Sequence, residues 1–259
     1  CSHTEWLIPM SDVPRNNLGG SFHLHKKGEA IDEIKIIYEN YAKTYNMMVV
    51  RDSLHFKSLL ENDPYKDNEY LYTFSDEQGE AIAYVCLKRS GSVLKVLDYA
   101  FSNAKGMRGI IHIISKYSSS FEYFEIDLNS SFPLENFIPE ITGIKRTTFT
   151  SGCVRVIDVK QILLLASYKG DGIVIISVID NFIEKNNAVF EVVFKNGKAE
   201  SVNTCSATPD ITLEIADFSS LILGHTDINE FLVLYANDDK IKILEKVFFQ
   251  KRCMIKEKF

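Results

Sequence analysis

The spacing of apolar and polar positions changes period several times along the chain, and each change marks an element. Val189–Phe194 lead into Asn196-Gly197 and Ala199–Val202 lead out of it. Both central residues of a type I′ turn take positive φ, so Asn-Gly between such runs predicts a β-hairpin. The period then lengthens. Ile211, Leu213 and Ile215 alternate as in a strand, whereas Phe218, Leu221 and Ile222 share a helical face that Gly224 ends.

The first half of the chain reads in the same way. SFHLH (21–25) alternates as a strand, with Phe22 and Leu24 on one side and His23 and His25 near the other. Ile31, Ile34, Ile37, Tyr38 and Tyr41 predict an amphipathic helix over 29–43. A second helix follows, carrying Leu54, Phe56, Leu59 and Leu60 and capped by Asp52 or Ser53. Strands are predicted at 70–74, 81–87 and 93–101, separated by the polar turns SDEQGE and KRSGS. A helix over 107–117 has Ile110, Ile111, Ile114 and Tyr117 inward. A strand at 121–128, a short helix at 134–138 and a strand at 145–150 complete this half. Pro9 and Pro14 rule out a long helix at the start. Residues 1–18 are therefore expected as an extended lead-in, with Trp6, Leu7 and Ile8 exposed and needing a partner. A boundary lies near Ser151, where GCVRVIDVKQILL opens a new strand-to-helix unit.

Composition narrows the class. The chain has 259 residues, 46% hydrophobic and 25% charged, as in a soluble protein of one large domain or two ordinary ones. A net charge of −6 without any basic stripe disfavours nucleic acid or an anionic membrane as partner. No apolar run approaches the roughly 20 residues that span a bilayer, so no membrane span is expected. CSHTEWLIPM lacks the regions of a signal peptide and does not begin with Met, so a processed or cropped start is expected. The five cysteines are scattered and contain no C-x-x-C, which supports neither a zinc ribbon nor a dithiol motif. Cys86 and Cys205 read as small core residues, and the compartment as the reducing cytoplasm.

Side-chain chemistry is sparse. His23-x-His25 places two imidazoles on one strand face, a spacing a metal could use. With His3, His55, His112 and His225 scattered, spacing identifies no third ligand; the pair reads as solvent-facing, and no metal site is expected. There is no G-x-S-x-G nucleophile elbow. Asp158 in VRVIDV and Asp180 in IISVID sit beside apolar residues and read as structural or capping carboxylates. The helix region from Leu221 to Leu234 could cover a sheet as core or line a lipid tunnel; core is the expectation.

The chain also resembles the C-terminal two thirds of an Eis-type (enhanced intracellular survival) acetyltransferase. The resemblance rests on TEWLIPMSDVP (4–14), YAKTYNMMVVRD (41–52), VRVIDVKQIL (154–163), IISVIDNFIEKNNAVFEV (175–192), PDITLEIADFSSLILG (209–224) and the terminal Phe. It implies an α+β fold. Residues 1–18 would be a linker from a missing N-terminal domain. A degenerate GNAT-like domain would occupy 19–150, and a sterol-carrier-protein-like α/β sandwich domain 151–259.

A working GNAT domain holds the acetyl-CoA pyrophosphate on helix N-terminal amides, behind a Q/R-x-x-G-x-G/A loop. The matching place is Asn103-Ala104-Lys105-Gly106-Met107-Arg108. Gly106 fits that pattern; Asn103 and Arg108 depart from it, so no cofactor binding is expected in this chain.

The family transfers acetyl from acetyl-CoA to amines of aminoglycosides and lysine, with acetyl-CoA and a general-acid Tyr in the N-terminal catalytic domain. By resemblance, the carboxylate of Phe259 would be the general base of the full-length enzyme. Implied partners are that catalytic domain, a small-molecule amine acceptor and, at full length, further copies in a homo-oligomer. The chain alone is expected to be inactive. Two alternatives stand beside this reading: a lipid- or sterol-binding carrier-like module, and an interaction scaffold.

Overall fold

The computed structural model describes residues 2–15, 18–26, 29, 31–60, 64–139, 143–150, 152–235 and 241–256. The chain folds as two units: residues 2–150 with 254–256, and residues 152–253.

The first unit is built on a seven-stranded sheet. Its strands are β1 (Ser2–Pro9), β2 (Ser21–Leu24), β3 (Glu69–Ser75), β4 (Ala81–Ser90), β5 (Val93–Phe101), β6 (Tyr123–Asn129) and β7 (Lys145–Thr150). They lie in the order β2-β3-β4-β5-β6-β1-β7. The helices are α1 (Ile31–Ala42), α2 (Ser53–Leu60), α3 (Pro64–Asp67) and α4 (Ala104–Ser115). Six successive residues of β4, Ile82–Leu87, are buried. Such a continuous apolar run is what a strand covered on both faces requires. Ile34, Ile37, Tyr38 and Tyr41 of α1 and Ile110, Ile111 and Ile114 of α4 join the same core. Asp52 caps α2, its Oδ1 accepting from His55 N at 2.8 Å. Leu54, expected to face inward, is exposed, and Leu59 and Leu60 have side chains outside the described set.

The start of the chain departs from expectation. Residues Ser2–Pro9 are no lead-in but a strand paired antiparallel with both β6 and β7. Trp6 is 6% exposed and Ile8 fully buried, so the fold itself covers the segment expected to need a partner. Pro9, the last residue of the strand, falls where a missing N–H costs no ladder bond.

All neighbouring strands of this sheet are antiparallel except β5 and β6, which pair in parallel over only Val93↔Tyr123, Leu94↔Phe124 and Lys95↔Glu125. Beyond these pairs β5 runs on to Phe101 without β6 beside it. The gap is bridged by a side chain, the Tyr99 hydroxyl donating to Asp127 O at 3.0 Å.

The second unit has a four-stranded sheet of β8 (Gly172–Ile179), β9 (Ala188–Lys195), β10 (Lys198–Thr204) and β11 (Ile211–Glu214), in the order β10-β9-β8-β11. Its helices are α5 (Val159–Leu165), α6 (Ile215–Ile222), α7 (Ile228–Tyr235) and α8 (Ile241–Val247). The hairpin turns at Asn196 (φ 52°) and Gly197 (φ 78°), both left-handed as a type I′ turn demands. Ile215, read from its alternation as a strand residue, is instead the first residue of α6. Phe218, Leu221, Ile222 and Ile228 are buried in this unit's core with Val174, Ile176 and Phe190. Asp158 caps α5 by accepting from Gln161 N at 3.0 Å. Asp180 is buried; its carboxylate accepts from Phe182 N (2.9 Å), Ile183 N (3.0 Å) and Asn186 Nδ2 (2.9 Å) and pairs with Arg155. Both carboxylates do structural work, Asp180 by tying down the loop after β8. Cys86 is buried, whereas Cys205, expected in the core, is half-buried.

Candidate functional site

The first unit contains a buried ionic centre that the sequence reading missed. Arg51 follows α1, Asp98 lies on β5, and Lys256 arrives from the far end of the chain. Their side chains are 4%, 4% and 8% exposed, respectively. The Arg51 guanidinium donates to Asp98 in a fork, Nη1 to Oδ2 at 2.7 Å and Nη2 to Oδ1 at 3.3 Å. Lys256 Nζ lies 2.6 Å from Asp98 Oδ1, and the Tyr84 hydroxyl donates to Oδ2 at 2.8 Å.

One carboxylate thus serves two cations, and aromatic faces pack against both. The guanidinium sits 4.1 Å from the Tyr38 ring centroid and the ammonium 4.1 Å from that of Tyr99. Cations over such rings are attracted by the ring quadrupole, most strongly where water is excluded. Burial alone would push the Asp98 carboxyl up; the Lys256 ammonium and the Arg51 guanidinium outweigh it and hold the group well below the usual carboxylate range. Burial raises the phenols of Tyr41, Tyr84 and Tyr99, so all three stay neutral donors at physiological pH.

The sheet explains why this centre can hold Lys256. Past the short β5–β6 pairing, the Tyr99 carbonyl accepts from Lys256 Nζ. The neighbouring residues are held as well: Met254 N donates to Asn46 O at 2.9 Å, and Met254 is buried in the core of the first unit. Residues Met254–Lys256 therefore belong to the first unit rather than to a domain running from 151 to 259. Phe259, the residue expected as general base, lies outside the described residues.

In the loop matched to an acetyl-CoA site, one helix N-terminal amide is taken by a side chain of the loop itself. Asn103 is the N-cap of α4, and its Oδ1 accepts from Gly106 N at 3.0 Å, consuming an amide that a phosphate would need. Gly106 is explained by packing: a Cβ there would fall 2.6 Å from Ile82 O on β4. Arg108 lies with its guanidinium 5.6 Å from the Phe137 ring. His23 and His25 share one strand face with ring centroids 4.6 Å apart, but His25 does not face solvent. It is 6% exposed and its Nε2 is 2.8 Å from Thr73 Oγ1. Glu29 joins the pair, so the third ligand-bearing residue missing from the spacing is supplied by the turn that precedes α1.

Residues 159–252 match the family model described as a sterol carrier protein domain. Among solved structures the chain is similar to a probable N-acyltransferase from Enterococcus faecalis, with TM-score 0.85 and 16% identity. That alignment covers 100% of this chain and 67% of the other. A GCN5-related N-acetyltransferase from Anabaena variabilis aligns with TM-score 0.83 and 15% identity, over 100% of this chain and 67% of its own. The fold is GNAT-like, with a sterol-carrier-protein-like domain at 159–252. Eis1 from Mycobacterium abscessus aligns with TM-score 0.75 and 17% identity, over 100% of this chain and 68% of that one. The chain thus spans about two thirds of the length of these structures. No curated protein sequence matches it. Among the described residues, no helix is long and apolar enough to cross a membrane.

Proposed function

We propose that this chain is the accessory, acceptor-shaping part of an acetyl-CoA-dependent amine N-acetyltransferase, and that it does not transfer acetyl groups by itself. The observation that carries the reading is the Lys256–Asp98–Arg51 centre. Here two cations, one carboxylate and a backbone carbonyl hold the chain three residues before Phe259. In the proposed enzyme this anchorage delivers the Phe259 carboxylate to the acceptor amine, whose proton it takes as the nitrogen attacks the acetyl thioester; the C–S bond then breaks and CoA leaves as the thiol, protonated by the general-acid Tyr of the catalytic domain. An α-carboxyl ordinarily titrates at about 3.3–3.7, so it is ionised and able to accept a proton at neutral pH.

The N-cap use of Asn103 supports placing acetyl-CoA in a catalytic GNAT domain outside this chain. The acceptor is a small-molecule amine of the aminoglycoside or lysine type. A cation suits the chain's net charge of −6. The full-length enzyme is proposed to work in the cytoplasm as a homo-oligomer.

The test is acetyl-CoA calorimetry and an acetyl-transfer assay on this chain and on a form extended on its N-terminal side through the gene. Binding and turnover by the extended form alone are expected. In that form, deleting Phe259 should lower kcat about 100-fold or more, the usual scale of a lost general base, with acetyl-CoA affinity retained. Turnover by the present chain at ordinary enzyme rates would refute the proposal.

The family match at 159–252 favours a second reading, a lipid- or sterol-carrying module. Against it, the described side chains Phe218, Leu221, Ile222 and Ile228 are packed as core. A cavity of ligand size, about 390 Å³, opens in the first unit beside α4, walled in part by Leu18, Ile111 and Phe137. Saturable binding of a fluorescent sterol or fatty acid to residues 152–253 of the intact chain would favour the carrier.

A further inference from the structure

We infer that His23, His25 and Glu29 form a binding site for one divalent transition-metal ion, Zn²⁺ by the chemistry of its donors. Successive side chains of a strand point to opposite faces, so residues two apart share one. His23 and His25 therefore project together from the β2 end of the sheet, with His25 N held to Leu71 O at 3.0 Å. The chain then turns back: Glu29 N donates to Lys26 O at 3.1 Å, and Lys26 N donates to Glu29 Oε2 at 3.0 Å. The turn brings the carboxylate against the imidazole pair. One ligand atom from each of the three residues lies within 4.8 Å of the other two.

Tetrahedral zinc with bonds of about 2.0–2.1 Å sets its ligands roughly 3.3 Å apart. The site must therefore contract by at most about 1.5 Å on binding. His23 and Glu29 are exposed and free to do so, while His25 is the fixed member. Its Nε2 is engaged by Thr73 Oγ1 at 2.8 Å. A ligating histidine is typically oriented by such a partner on one ring nitrogen, leaving the other for the metal.

Two imidazoles and one carboxylate suit zinc and its neighbours in the first transition row; calcium and magnesium want oxygen ligands throughout. Three protein ligands leave a fourth position for water. The site joins the outermost strand of the sheet to the turn that enters α1, so a bound ion would clamp an edge that hydrogen bonds alone hold on one side only. This inference is independent of the acetyltransferase reading.

The full chain, freed of metal with a chelator, should bind one Zn²⁺ by calorimetry at neutral pH. Co²⁺ should give the intense visible absorption of a four-coordinate centre. His23→Ala should weaken Zn²⁺ binding at least tenfold and abolish the tetrahedral Co²⁺ spectrum. Glu29→Gln should weaken binding several-fold, and the exposed His225→Ala in the other unit should leave it unchanged. His23 and Glu29 are both exposed, so the metal-free thermal midpoints of their variants should match the parent. Absence of saturable Zn²⁺ binding overturns the inference. So does binding that survives His23→Ala undiminished, the mark of adventitious surface histidines.

Discussion

Lys256 Nζ lies 2.6 Å from Asp98 Oδ1, although the two residues are 158 positions apart in the chain. Arg51 already neutralises Asp98 through a forked pair, so the ammonium is a second cation on the same carboxylate. Such an arrangement is costly to desolvate and persists only with further hydrogen bonds and π faces around it. Its effect is positional, because it brings the last described residues of the chain into the first unit.

Removing the shared carboxylate is expected to be far worse than removing one cation. Asp98→Ala removes the carboxylate that two buried cations share and should cost about 3–5 kcal/mol of unfolding free energy. Lys256→Met keeps the Arg51–Asp98 pair and should cost about 1–3 kcal/mol, the scale of a lost charged hydrogen bond. Urea unfolding measures both. Amide exchange at Met254 should rise sharply in Lys256→Met while β4 stays protected; equal exchange throughout would mean that the lysine anchors nothing.

Acid should expose the same centre. The folded Asp98 carboxyl titrates below its ordinary value. Its stabilisation is therefore complete above the unfolded value of about 3.9 and is lost as pH falls from there towards the folded value. The gap in thermal midpoint between the parent and Asp98→Asn should stay constant from pH 7 to about pH 5 and narrow below about pH 4. A gap that widens on acidification contradicts the assignment.

Gly106 is expected to be a packing glycine. Gly106→Ala drives a Cβ to within 2.6 Å of Ile82 O, a backbone atom that cannot swing away. The cost should be about 1–3 kcal/mol, as for other overpacked sites. Acetyl-CoA titration should give the same trace for variant and parent; a change confined to the variant would return the glycine to a phosphate-binding role.

In the second unit Asp180 should outweigh its cation. Asp180→Ala strands the buried side-chain amide of Asn186 and leaves the loop amides of Phe182 and Ile183 without their acceptor, whereas Arg155→Ala removes a partly exposed partner. Thermal unfolding should show the larger loss for Asp180→Ala, because it removes three acceptor contacts and the buried Asn186 donor keeps its desolvation penalty. The reverse order would place the weight of the site on the ion pair.

Local order was legible wherever a local cause sets the structure. Asn196-Gly197 turns the hairpin because both residues must take positive φ. The apolar run of β4 announces a doubly covered strand, and the faces of α1 and α4 follow from 3.6-residue spacing. The third member of the histidine cluster was within reach too: Glu29 lies four residues after His25, but it read as the first residue of a helix that begins at Ile31.

What only the tertiary structure decided depends on pairings that no local signal encodes. The alternation of β1 identifies a strand only once β6 and β7 lie on either side, more than a hundred residues downstream. Arg51, Asp98 and Lys256 look in sequence like any solvated charges, because burial is a property of the assembled sheet and not of the residue. The parting of β5 from β6 after three pairs leaves the Tyr99 carbonyl without a strand partner, and Lys256 fills that vacancy. A buried carbonyl must be satisfied by something, and only the folded chain determines which residue arrives.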